Sequence, residues 1–398
     1  NIFFEYSKFS IFVIFDIHKF FFFTYKDSIY INFYLDVFYF NKILNHFKVN
    51  IDKYSLSFIN MTEKVLLTGG AGFIGHQAIK KILENSDWEI LTFDRLSYAG
   101  NLKRIDDIYE EVGDSSRERL NFVYHDLKAP LSDEIINTLN DVTYIVHIGA
   151  SSHVTKSVQN PGLFIQDNIV GTFNLLEAAR KIKNLKMFYY FSTDEVFGPS
   201  DQQDKFLEWD RYNSKNPYSA TKAGGEELTI AYSNTYGLPS LITHCSNVYG
   251  ERQHFEKFIP NTIKKILNDD EIIIHTDSNN NPGSRYYIYN EDLSDTIFFL
   301  INKFDYVQDE AFKIQKKSPT KVNISGKSLI SNLEVAEMIG EYLNKDFKYK
   351  LLANDPSRPG HDIKYGLDDS LLKKLGGDFD REFKLGLEKA VNFYLKNL

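Results

Sequence analysis

A short apolar run, Val65-Leu66-Leu67-Thr68, leads straight into Gly69-Gly70-Ala71-Gly72-Phe73-Ile74-Gly75. The run has the length and continuity of a strand buried on both faces, and the glycines then demand a tight turn. Gly75 to Leu83 reads as a helix. A strand, a glycine-rich turn and a helix in that order place bare backbone N–H groups at a helix N-terminus. Such a turn can receive a pyrophosphate.

The rhythm continues for almost two hundred residues. Trp88–Asp94, Asn121–Tyr124, Thr143–His147, Lys186–Ser192 and Ser240–Cys245 read as strands. Leu163–Lys183 and Tyr218–Tyr236 read as long helices. Strands separated by helices predict an α/β protein with a doubly wound parallel sheet. After Ser246 short strands (Ile272–His275, Tyr286–Tyr289, Val322–Ile324) mix with helices near Lys257–Leu267, Glu291–Asn302 and Asn332–Leu343. We expect residues 61–245 to form the nucleotide-binding domain. Residues 246–398 are then mainly a smaller α/β substrate lobe, with some segments returning to the first domain.

The first sixty residues differ from the rest. They are crowded with Phe, Ile, Tyr, Asn and Lys and contain no Gly, Ala, Pro, Arg or Met. Charges at Lys8, Asp16, Lys19, Lys26 and Asp27 interrupt every candidate membrane span, and a signal-peptide cleavage site of the Ala-x-Ala kind is missing. We expect residues 1–60 to be a spurious or disordered extension and the working chain to start at Met61.

The formal charge of −8 argues against a nucleic-acid or anionic-membrane surface. Cys245 is the single cysteine, which excludes an intrachain disulfide and fits a reducing, cytoplasmic setting. No His/Cys spacing suggests a metal site.

Asp94 follows Gly75 by about 20 residues, the distance at which a strand-end carboxylate meets the adenosine ribose hydroxyls. It would repel a 2′-phosphate, which favours NAD over NADP, although Arg95 lies beside it. Asp126, after the third strand, can meet the adenine or cap a loop.

Two further groups carry chemistry. Tyr218 and Lys222 are four apart on a helix and share a face, where a lysine cation can lower a phenol's pKa. Thr193, Asp194 and Glu195 follow a strand at its C-terminal end, where open sheets place ligands. Adjacent carboxyls in a closed site split into one protonated acid and one base. Taken alone, Thr-Asp-Glu is also an ordinary helix start.

Together these residues identify a family. The chain from Met61 to Leu398 resembles the extended short-chain dehydrogenase/reductases, specifically the nucleoside-diphosphate-glucose 4,6-dehydratases. The resemblance rests on GGAGFIG, LSYAGN (Leu96–Asn101), HIGASSHV (His147–Val154), STDEVFG (Ser192–Gly198), NPYSATKAG (Asn216–Gly224), NVYG (Asn247–Gly250), EKFIP (Glu256–Pro260) and SRPGHD (Ser357–Asp362). It implies a Rossmann sheet and a hydro-lyase that oxidises C4 of the hexose transiently, eliminates water across C5 and C6, and returns the hydride to C6. Tyr218, Lys222 and Thr193 would serve the C4 step, Glu195 would take the C5 proton, and Asp194 would protonate the departing C6 hydroxyl.

The resemblance also implies contacts. Gly69, Gly72, Phe73, Ile74, Gly75, Asp94, Asp126, Leu127, Ala150, Tyr218 and Lys222 would hold NAD. Ser152 and His153 would line the sugar pocket, and Asn247, Lys257, Arg285 and Arg358 would meet the diphosphate. LSYAGN and SRPGHD are similar to enzymes acting on dTDP-glucose, whereas NPYSATKAG and NVYG are more similar to UDP-glucose dehydratases of rhamnose pathways. A UDP-sugar 4-epimerase or decarboxylase is disfavoured by the Asp194–Glu195 pair, and a non-catalytic nucleotide-binding protein by the complete chemical set. Family members pair through two long helices, so a homodimer through Leu163–Lys183 and Tyr218–Tyr236 is expected.

Overall fold

The computed structural model describes residues 62–200, 205–353, 364–379 and 381–397, together with short strands before residue 62. The chain divides into two units, Asn1–Thr62 and Glu63–Leu398. In the first, Ser28–Ile31 pairs antiparallel with Phe22–Tyr25 and parallel with Ser55–Phe58. Most of that unit, with the expected start at Met61 and most of the expected extension, lies outside the described residues.

The second unit is built on a seven-stranded parallel sheet. Its first six strands in chain order are β1 (Lys64–Thr68), β2 (Glu89–Asp94), β3 (Leu120–Tyr124), β4 (Tyr144–His147), β5 (Met187–Phe191) and β6 (Ser240–Cys245). They lie in the order β3-β2-β1-β4-β5-β6, and Thr320–Ile324 joins as the seventh strand beside β6. Register is fixed by burial: Leu66 stands between Leu91 and Ile145. Alternate residues feed opposite faces. Val65, Leu67, Val146 and Tyr189 enter one core, and Leu66, Ile145, Phe188 and Tyr190 the other. Removing one such side chain, as in Leu66→Ala, costs about 2–5 kcal/mol.

Three helices matter most for the site. α1 (Phe73–Asn85) starts at the glycine turn, with Gly72 as its N-cap. α2 spans residues 161–179 and contains a π-helical turn, Gln166–Val170. α3 (Pro217–Tyr236) opens on a capping box in which Asn216 and Ser219 satisfy each other's backbone N–H groups, and it ends on the left-handed Gly237.

The smaller lobe contains two sheets. One joins β7 (Asn247–Tyr249), β9 (Ser284–Tyr289) and β11 (Leu329–Ser331). The other pairs β8 (Ile272–Thr276) with β12 (Tyr349–Ala353). α4 (Phe258–Leu267) and α6 (Asn332–Leu343) cover them around Ile263, Ile274, Val335 and Ile339. Two segments return to the first domain. α5 (Asn290–Asn302) packs beside α1, where Asn290 donates to the Phe73 carbonyl at 2.7 Å. The strand expected near Val322–Ile324 is β10 (Thr320–Ile324), the edge of the main sheet and not part of the smaller lobe. Among the described residues no helix is long and apolar enough to cross a membrane.

Candidate active site

A cleft of about 440 Å³ opens at the C-terminal ends of the parallel strands and runs on to the smaller lobe. That is where an open α/β sheet puts its ligands. At one end the chain turns through Gly69, which adopts φ +80°. A Cβ on Gly75 would sit 2.1 Å from the Gly69 carbonyl oxygen, so only glycine lets α1 start this close to β1. Gly69, Gly72, Phe73, Ile74 and Gly75 all line the cleft.

Asp94 lines the same end and accepts hydrogen bonds from the N–H groups of Ala71 at 3.0 Å and Leu96 at 2.8 Å. Asp126, Leu127 and Ala150 complete this wall. Two buried polar atoms beside it have no partner among the described residues, Nε2 of His125 and Oγ of Ser192. His147 acts as a strut behind it: Nδ1 meets Thr68 Oγ1 at 2.7 Å and Nε2 meets Thr172 Oγ1 at 3.0 Å. Burial, then the Lys222 charge, hold its imidazole down at about 3, so it is neutral.

At the centre, β5 is followed two residues on by Thr193, Asp194 and Glu195. Thr193 caps the 3₁₀ turn Asp194–Phe197 by accepting from the Glu195 N–H at 3.4 Å. The cap reading and the site reading are therefore both true of these residues. Thr193 also donates to Asp194 Oδ1 at 3.1 Å, and Asn216, the α3 cap, donates to Glu195 Oε2 at 3.1 Å. Burial and then the Glu195 charge push the Asp194 carboxyl up to about 7, against the pull of Arg285. Asp194 is thus the member of the pair that holds a proton most readily.

Tyr218 and Lys222 face the same cleft from α3. Their relation differs from the expected one. Burial and then the charge of Glu195 drive the Tyr218 phenol far above its ordinary value, against a hydrogen bond with Thr193. Lys222 donates to the Phe191 carbonyl at 2.5 Å and lies 4.3 Å above the Tyr190 ring. Burial lowers the Lys222 ammonium to about 7, partly offset by Glu226. In this geometry the lysine is spent on the strand end and does not lower the phenol.

On the side of the smaller lobe, Arg285 is buried in β9 with its guanidinium 4.9 Å from the Tyr365 ring. Lys257 donates to the Ser152 carbonyl at 3.2 Å, and Asn247 opens β7. His153 caps the helix Val154–Gln159 and stands 3.7 Å from Glu256. Ser152, His153, Asn247, Lys257 and Arg285 all line the cleft. Arg358 lies outside the described residues.

Sequence reasoning missed several residues here. Asn216 ties the α3 cap to Glu195. Cys245 and Ser246 line the cleft floor. Asp167 and Asn168 point inward from the π turn, a local distortion that often marks a functional site. Glu226 stands one turn beyond Lys222. It accepts from His244 at 3.1 Å, from Lys321 at 2.9 Å and from the Tyr212 hydroxyl. A buried acid at helical spacing from Lys222 was the available signal.

The family model described as GDP-mannose 4,6 dehydratase matches residues 66–388. The chain is 32% identical to a dTDP-glucose 4,6-dehydratase of Shigella flexneri over 357 residues, 84% of this chain and 93% of that one. It is 33% identical to a trifunctional UDP-glucose 4,6-dehydratase/epimerase/reductase of Arabidopsis thaliana, covering 84% of this chain and 47% of that one. A dTDP-glucose 4,6-dehydratase of Streptomyces venezuelae, solved with NAD and TYD bound, superposes with a TM-score of 0.73 at 28% identity. That match covers 84% of this chain and 97% of that one. A seven-stranded sheet of this order, a glycine cradle, and a Thr-Asp-Glu turn facing Tyr218 and Lys222 accompany these matches. The chain belongs to the nucleotide-sugar 4,6-dehydratase family of the extended short-chain dehydrogenase/reductases.

Proposed function

We propose that this chain is an NAD-dependent hydro-lyase that converts dTDP-glucose to its 4-keto-6-deoxy product. The residues fit the cofactor. The Gly69–Gly75 turn leaves a cradle that a Cβ would fill, Asp94 stands at the strand end for the ribose hydroxyls, and Ser192 Oγ waits unpaired in the cleft wall. When bound, NAD supplies the acceptor and later the donor of one hydride.

The chain's own groups manage the protons. Tyr218 Oη takes the proton of the C4 hydroxyl, with Thr193 in hydrogen-bond contact to share it. The high phenol pKa makes Tyr218 a strong base once ionised. Lys222 must therefore leave the Phe191 carbonyl and approach the phenol to ease that ionisation. Oxidation at C4 makes the C5 proton acidic; Glu195, steadied by Asn216, removes it and gives it back to C5 when the hydride returns to C6. Asp194, protonated up to about pH 7, delivers its proton to the C6 hydroxyl as that leaves. Arg285, Lys257 and Asn247 are placed for the diphosphate, where a guanidinium suits the fork-shaped anion. Arg358 is proposed for the same anion from its motif.

The observation that carries this reading is the buried Asp194 carboxyl, raised to about 7 beside the half-buried Glu195, in one cleft with Tyr218 and Lys222. Neither epimerisation nor decarboxylation needs that pair. Incubation with dTDP-glucose and UDP-glucose side by side, followed by alkali-induced absorbance of the 4-keto sugar, tests it. We expect product from dTDP-glucose; no keto product from either nucleotide sinks the reading. UDP-glucose is the second substrate, favoured by NPYSATKAG and NVYG, and the two arms decide between them.

A homodimer through α2 and α3 belongs to the same proposal. Leu163, Ile165 and Phe173 on α2 are exposed apolar side chains, as an uncovered packing face would be. A monomeric mass in solution would refute it. A cytoplasmic setting is supported by the lone, buried thiol of Cys245.

A further inference from the structure

Arg95 follows Asp94 directly, and both line the cofactor end of the cleft. A carboxylate at that strand end takes a free ribose 2′-hydroxyl, whereas a nearby arginine accommodates a 2′-phosphate. The chain holds both elements side by side, so selectivity depends on which of them is available. Asp94 is fixed in place by the N–H groups of Ala71 and Leu96.

Arg95 is not free. Its Nη1 donates to Asp167 Oδ1 at 2.6 Å and its Nη2 to Asp167 Oδ2 at 2.5 Å, a bidentate pair. Asp126 Oδ1 stands 3.5 Å from the same Nη1. The Asp167 side chain is 4% exposed and that of Arg95 23%. Asp167 is itself held: Ser151 Oγ donates to its Oδ2 at 2.5 Å. The next residue of the π turn, Asn168, bonds both backbone groups of Ser151 and the hydroxyl of Thr221 on α3. The carboxylate that captures Arg95 is thus held by the loop after β4, and its neighbour Asn168 ties the π turn to α3.

We infer that Asp167 is a cofactor-specificity residue: by occupying both terminal nitrogens of Arg95 it withdraws the cation that a 2′-phosphate needs, and so sets the preference for NAD over NADP. The inference rests on reading the cleft as an NAD site. The geometry is the one by which guanidinium groups grip carboxylate or phosphate, so the two anions compete for the same fork. Asp126 pairs with Lys128 at 3.2 Å, and Arg104, a further cation lining the cleft, donates to the backbone carbonyls of Ala71, Ala99 and Arg252. A purely structural bridge would instead affect stability and leave nucleotide selectivity alone.

Titration calorimetry with NAD and NADP, on enzyme stripped of nucleotide, tests this without turnover. Wild type is expected to bind NAD and to discriminate strongly against NADP. Asp167→Asn keeps the shape and the Ser151 hydrogen bond but removes the competing charge, and should narrow the NADP-to-NAD ratio of Kd by about tenfold. Arg95→Met, which needs no fold tolerance at Asp167, should leave that ratio within about threefold of wild type, because the fork was already taken. The same ratio in Asp167→Asn as in wild type overturns the inference. So does a tenfold weaker NADP affinity in Arg95→Met, which would show that the guanidinium already serves the phosphate. Failure of wild type to bind NAD overturns the cofactor reading itself, and this inference falls with it.

Discussion

Asp194 and Glu226 are carboxyls with almost no exposed surface, 5% and 0%, yet the protein treats them in opposite ways. Burial works to raise both. At Asp194 the strongest charge effect comes from another carboxylate, Glu195, and the group rises to about 7. At Glu226 burial is outweighed by the charges and hydrogen bonds of His244, Lys321 and Tyr212 acting together, and the group is held far below the usual carboxylate range. Depth does not decide protonation; the partners do. The charge-paired acid ties β6, β10 and α3 together through His244 and Lys321, and the raised one is available to give up a proton.

The sharpest way to break this contrast is to neutralise Glu195, the neighbour of Asp194, and separately Glu226 itself. Glu195→Gln should lower kcat by at least about 10²-fold, since it deletes the base proposed for the C5 proton. If the C4 step survives, reduced cofactor should accumulate on the enzyme and be visible by its fluorescence. Turnover equal to wild type would remove Glu195 from the mechanism. Glu226→Gln should lose little of the chemistry but much of the fold. It leaves Lys321, with a side chain 3% exposed, without its carboxylate, and breaking a buried pair costs about 3–5 kcal/mol. Urea unfolding measures it.

Protonation gives the two acids opposite stability slopes. The folded-state pKa of Asp194 is raised from 3.8 to about 7, so the native state holds a proton that the unfolded chain has already lost. Stability from this group is therefore lost as pH rises from about 4 to 7. Asp194→Asn should remove that slope, making the variant more stable than wild type at pH 7 by up to a few kcal/mol while turnover falls. Glu226 is depressed, so its contribution is present above pH 4.5 and is lost as pH falls toward its lower folded value. Unfolding of wild type against each variant reads the two signs directly, between pH 4 and 7 for Asp194 and below pH 4.5 for Glu226. Slopes of the same sign would contradict the contrast.

The same contrast explains what was legible in the sequence. The glycine turn, Asp94 and the Thr193–Glu195 turn declare themselves because their geometry is local: strand, turn and helix follow one another within a few residues. The bidentate Arg95–Asp167 pair joins residues 72 apart, and no periodicity announces such a contact. β10 was misplaced for a related reason. Its sequence Thr-Lys-Val-Asn-Ile carries Lys321 and Asn323, which do not look like core, yet all five residues are buried. They can be buried because Lys321 meets Glu226, and Asn323 meets His244 and two backbone carbonyls. Likewise the spacing of Tyr218 and Lys222 set both on one face, but only the packed structure shows the lysine drawn to the Phe191 carbonyl.

The smallest effect probes what holds Glu226 ionised. Oε1 receives His244, Lys321 and Tyr212, while Oε2 is buried with no hydrogen-bond partner among the described residues. Lys321 supplies charge; Tyr212 supplies a neutral hydroxyl from the loop after the catalytic turn, and that hydroxyl also receives Lys321 Nζ at 2.6 Å. Tyr212→Phe removes the hydroxyl and keeps the ring against Phe197 and His244. If charge dominates, the variant should lose only about 1 kcal/mol, the ordinary net worth of one hydrogen bond, with the acid limb of its stability profile nearly unmoved. A loss as large as that of Glu226→Gln would instead make the cluster a single cooperative network. The ionised state of its carboxylate would then depend on the loop as much as on the sheet.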